Sequence, residues 1–240
     1  MGGCRTPIAL LLVTGALVSL AGTGRATPQA AALHLPDART VPMKDPLPDI
    51  LIDVESGAED IVDVALSRNR ANAISLAADL KESANGPAAM ALSASGVPKE
   101  KVAELRRRAS RVARIAPRGP FVEIALAANA VSQLMPDLYA RFRNPVPASI
   151  LALDYFDREA HLRSLAHQPR KVAVAVNGLQ ATWPRVRPKV RAAGGRHEAA
   201  AFDRHVRAMT ELRSDDAKRI QAEALRGLEL VDELERVFTR

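Results

Sequence analysis

The sequence predicts an all-α protein built from two tandem, internally duplicated four-helix-bundle-like units. Three observations carry that expectation. Ala, Leu, Arg and Glu dominate the 240 residues, aromatics make up only 3%, and no segment alternates apolar with polar as a half-buried strand would. Apolar residues of the longer segments recur every three or four positions; Ile220, Ala224, Leu228, Val231, Leu234 and Phe238 share one broad helical face. Short segments also return at an offset of about one hundred residues. Ile50-Leu51-Ile52-Asp53 matches Ile150-Leu151-Ala152-Leu153-Asp154. Leu92 to Gly96 matches Val190 to Gly194, and Leu134 to Phe142 matches Leu230 to Phe238.

The chain opens with a short basic start at Arg5, an uncharged apolar run over 8–22, and small residues at Gly24 and Ala26. This is the pattern of a secretory signal peptide over 1–26, cleaved after Ala26. The only cysteine, Cys4, leaves with it, so the mature chain has no disulfide and no thiolate ligand. The mature length of about 210 residues is enough to bury a core without staples. No later run is long and apolar enough to span a membrane. The expected location is the periplasm or the exterior of a bacterium.

Residues 27–48 contain five prolines and read as an extended lead-in. Unit one occupies 49–143. Helices are expected over 50–66 and 69–84, with Asn85-Gly86-Pro87 breaking the chain. A short helix over 88–94 stops at Gly96, and Val97-Pro98 starts the next, which reaches Ile115. A closing helix is expected over 121–142, bent at Pro136. Asn144-Pro145-Val146-Pro147 links to unit two at 148–240. Its helices are expected over 148–166, 170–192 (kinked by Pro184 and Pro188), 197–212 and 215–238. Ser214-Asp215-Asp216 offers side-chain oxygens to cap the last one.

The sequence excludes several chemistries. It holds no Gly-rich phosphate loop, no His-Glu-x-x-His, no Gly-x-Ser-x-Gly and no Cys-x-x-Cys-His, and no catalytic residue is assigned. The best metal-ligand candidates are Asp154, Asp157 and His161, which fall on one arc of a helix, and His205 with Met209, four residues apart. Carboxylate, imidazole and thioether together could hold a divalent ion. The plainer expectation is a solvated polar flank for the first three and core filling for Met209. Arg158 and Glu159 point toward the apolar side of the same helix, so an interhelical ion pair is expected. Tyr155, Phe156 and Trp183 read as core anchors.

The net charge of +7 falls by two when Arg5 and Arg25 are removed. Two basic runs stand out: Arg106 to Arg118, and Arg185, Arg187, Lys189, Arg191 and Arg196. Neither is interleaved with aromatics, which argues against nucleic acid. The acidic run Asp53, Glu55, Glu59, Asp60 and Asp63 offers them an internal counter-charge. A protein or an anionic envelope component is the partner that remains.

As an exported helical bundle the chain resembles the cytochrome b562 and cytochrome c′ families in architecture only. The heme motifs of both are missing, and 121–142 and 215–238 contain no histidine, so heme is not expected. The ending Leu228-Glu229-Leu230-Val231-Asp232-Glu233-Leu234-Glu235-Arg236-Val237-Phe238 resembles that of exported helical proteins of proteobacteria to which no activity is attached. The resulting expectation is a non-enzymatic exported binding or scaffolding protein without a cofactor. The alternative is a metal-ion handler using the second unit.

Overall fold

The computed structural model describes residues 45–240. The signal-peptide expectation, its cleavage site and most of the lead-in lie outside these residues. Among the described residues there are ten α-helices and no strand. Among the described residues, no helix is long and apolar enough to cross a membrane.

Two helices open the first half. α1 (Asp49–Leu66) and α2 (Arg70–Asn85) are separated by a tight corner at Arg68, whose φ is 60°, and Asn69 caps α2 by accepting from the Asn72 N–H. The short α3 (Pro87–Ala94) follows Gly86, and Pro87 sits where a helix start needs no N–H. Gly96, at φ 70°, ends it as the sequence predicts. α4 (Lys99–Ile115) presents Val102, Leu105, Ala109 and Val112 to the core.

The expected single helix over 121–142 is two. α5 (Phe121–Ser132) stops and α6 (Met135–Tyr139) restarts after Gln133 and Leu134. Pro136 has no N–H to give to the Ser132 carbonyl four residues back, and its ring would collide with it. The helix therefore ends at Ser132 instead of bending through.

The second half comprises α7 (Ser149–Leu165), α8 (Pro169–Ala192), α9 (Arg196–Glu211) and α10 (Ala217–Thr239). α8 continues through Pro184 and Pro188. Both prolines lie on its exposed side, where water can serve the freed carbonyls. Asp216 caps α10 by accepting from the Arg219 N–H.

Two hydrophobic clusters form the core. The first draws on α1 to α6 and the second on α7 to α10, and α7 supplies both. Leu151 and Leu162 enter the first cluster; Ile150, Leu153, Tyr155 and Phe156 enter the second. Apolar side chains surround α7 on nearly every face, which is the mark of a central helix. α7 packs on α5, α6, α8 and α10. Its approach to α8 depends on Gly178, because a Cβ there would lie 2.6 Å from Cδ1 of Phe156. Gly178→Ala is expected to destabilize the protein by about 1–3 kcal/mol through overpacking. Urea unfolding followed by circular dichroism checks it, and an unchanged midpoint would show that the ring moves aside freely.

Candidate functional site

The centrality of α7 decides the fate of its polar residues. Asp154, Asp157 and His161 do not form a solvated flank. Asp157 is fully buried and His161 is 8% exposed, because the helix has a neighbor on the side that the sequence alone leaves open to water.

Asp157 Oδ1 lies 3.0 Å from Nε2 of His205 on α9, and Nδ1 of His205 lies 2.9 Å from Oε1 of Glu223 on α10. The imidazole is fully buried between two carboxylates on two other helices. A neutral ring has one N–H, so donation to both carboxylates requires the imidazolium. Burial works against that charge, but the hydrogen bonds and charges of Asp157 and Glu223 outweigh it and raise the His205 pKa. Burial also raises the Asp157 carboxyl above its ordinary range, against the pull of His205. Both shifts have one meaning: the network keeps its protons to higher pH than its parts would in water. Phe202 meets the ring edge-on at 5.2 Å. Gly227 on α10 closes the site, since a Cβ there would lie 2.5 Å from His205 Nε2. Asp157 Oδ2 is buried without a hydrogen-bond partner.

One turn earlier, Asp154 belongs to a different cluster. Arg158 holds Asp154 with both its terminal nitrogens and reaches Glu59 of α1 at 2.9 Å. This is the interhelical ion pair the sequence predicts for Arg158. Glu159 pairs with Arg163 on its own helix and accepts from Asn129 of α5. On the other side of Glu59, the Tyr139 hydroxyl sits 2.7 Å from Glu55 Oε2 and 3.1 Å from the Leu51 carbonyl. The hydroxyl has one proton to share between these two acceptors. Burial pushes Glu55 up to about 8 against the opposing hydrogen bond from Tyr139, with Glu59 and Glu235 adding to the effect. Glu235 is pushed up to about 7, chiefly by burial.

These shifts predict the pH response. Glu55 and Glu235 bind protons more tightly folded than unfolded, so their contribution is complete below the ordinary Glu range and is lost as pH rises toward 7–8. Asp157 and His205 carry the same sign. His161, lowered by burial, carries the opposite sign. Stability is expected to fall by about 1.4 kcal/mol per pH unit for each group with a raised pKa that titrates between pH 5 and 8. Glu55→Gln should flatten that slope in urea unfolding measured across the range; a slope equal to wild type would mean that Glu55 is ionized throughout.

His161 and Met209 complete the predicted set. Met209 is buried within the second cluster. Nδ1 of His161 is buried without a partner, and the residue lines an open groove of about 440 Å³. Of the five candidates, then, the structure joins Asp157 and His205 by a hydrogen bond and gives Asp154 a different set of partners. Among the described residues, no three His, Cys, Asp or Glu side chains are placed to hold a metal ion. Glu223 was missed by sequence reasoning; on α10 it looks like any solvated acid, and only the approach of α9 gives it a role.

The groove lies where the end of α1, the start of α5 and the end of α7 meet. Half-buried Leu66, Phe121, Val122 and Leu165 line it, with Arg68 at the rim. Arg70 fixes the Phe121 ring: its guanidinium stacks 4.3 Å from the ring center and donates to the carbonyls of Ala116 and Gly119.

Comparison of the chain with protein-family models, with curated proteins and with solved structures finds no match.

Proposed function

We propose that the protein is an exported, non-enzymatic helical binding or scaffolding protein, and that the groove between α1, α5 and α7 receives a small apolar or amphipathic ligand. The observation that carries this is the groove itself. Four half-buried apolar side chains face open space on three helices, and Phe121 is held in place by Arg70. Concave, largely apolar surfaces on a rigid scaffold are where small ligands bind. The polar residues best suited to chemistry support the same reading, because Asp154, Asp157, His205 and Glu223 already bond to one another or to Arg158. Export rests on the signal-like start of the sequence.

The test is native mass spectrometry with elemental analysis on protein recovered from its own host. The expected result is an added organic mass that disappears in Val122→Glu, which places a charge in the groove. A bare-chain mass would overturn the small-ligand reading. Near one metal ion per chain, lost in His161→Ala or His205→Ala, would replace it with metal handling.

A further inference from the structure

The two halves of the molecule carry opposite helices. α1 contains six acidic residues and no Lys or Arg, and α8 contains six basic residues and no Asp or Glu. The sequence suggests that these charges cancel inside the bundle. They do not meet there. Glu59 of α1 pairs with Arg158 of α7, and Arg107 and Arg108 of α4 pair with Glu104 of their own helix. α8 packs on α7 and α9, while α1 packs on α2 and α5. Among the described residues, Arg187 is the only α8 cation with a carboxylate in ion-pair range, Asp203 at 2.8 Å.

The outward side of α8 has a definite pattern. Arg170, Lys171, Arg185, Arg187, Lys189 and Arg191 are all exposed. At about 100° per residue they are spread across the exposed half, with Lys171, Arg185 and Lys189 along one edge and Arg187 and Arg191 along the other. The strip between these edges carries one cation, Arg170 at the start of the helix, and is otherwise uncharged: Val174, which is 45% exposed, then Asn177, Ala181, Pro184 and Pro188. α9 adds exposed Arg196, Arg204 and Arg207 beside it.

We infer that the outer face of α8 docks on an anionic lipid surface. Cations flanking a weakly apolar strip match a headgroup layer, where charges sit among phosphates and the strip rests on the interface. A flat lipid surface also requires no register between charges. Single-stranded nucleic acid is disfavored because the face has no stacking aromatic; Trp183 is buried and donates to Asp203. This inference does not depend on the groove and fails or stands separately from it.

The test is cosedimentation with vesicles of phosphatidylcholine alone and of phosphatidylcholine with equal phosphatidylglycerol. It uses both the full chain and the chain beginning at Thr27, which drops an apolar run able to enter any bilayer. The expected result for the shorter chain is pelleting only with the anionic vesicles, reversed by raising salt. Arg185→Glu combined with Lys189→Glu and Arg191→Glu should weaken it by at least ~tenfold, with helicity unchanged. Asp60→Lys on α1 should not weaken it. Equal pelleting with neutral vesicles, or an unaffected triple variant, would overturn the inference. Absence of vesicle binding would overturn it too, and in that case salt-sensitive capture of duplex DNA, or association of one copy's α8 with another's α1, would reassign the face.

Discussion

His205→Ala is expected to destabilize the protein by about 3–5 kcal/mol, enough to unfold a marginal domain. The imidazole is fully buried, and its removal leaves the equally buried Asp157 with neither oxygen paired. The loss therefore exceeds the net worth of the two hydrogen bonds, because an uncompensated polar group is left in an apolar interior. Asp157 responds by keeping its proton, so the penalty should be smaller in acid than at neutral pH. Urea unfolding of His205→Ala, Asp157→Asn and the double variant measures the coupling. The double variant is expected to be clearly less unstable than the sum of the singles, since the second change removes the group the first one stranded. Additive losses would mean that the two residues do not interact.

Arg158→Met is expected to cost about 3 kcal/mol at pH 7.5 and distinctly less at pH 5. Methionine keeps most of the side-chain volume and removes the charge. Among the described residues the guanidinium is the one cation holding Asp154 and Glu59 together, with Glu55 and Glu235 close by. Without it, mutual repulsion and burial favor protonated carboxyls, which lower pH supplies. The pH dependence is what separates the electrostatic account from lost packing. An equal loss at both pH values would leave the guanidinium with a packing role alone.

The burial of polar residues on α7 has one physical source. Periodicity shows that one side of a helix is apolar, but it does not show how many neighbors that helix will have. Asp154, Asp157 and His161 share an arc beside an apolar stripe, which on a peripheral helix would face water. α7 is central, so two of them are buried: Asp157 finds a partner on α9, and Nδ1 of His161 finds none. Arg158 was legible because a charge within the apolar arc demands a partner wherever the helix sits, whereas Glu159 makes its ion pair with Arg163 of its own helix instead of across helices. Pro136 is a case of local chemistry stronger than its reading. The missing N–H and the ring collision at Ser132 end the helix outright.

By itself the sequence determined the all-α class, nearly every helix boundary set by Gly, Pro or an Asp cap, and the core anchors Tyr155, Phe156 and Trp183. These follow from local backbone preference and from the amount of apolar surface each residue must bury. Only the tertiary structure decided that α7 serves both clusters, that His205 lies between Asp157 and Glu223, and that α1 and α8 keep their charges apart. Those outcomes depend on which helices become neighbors. Helix packing is set by the sum of many weak, non-directional contacts, and no single residue's spacing encodes it.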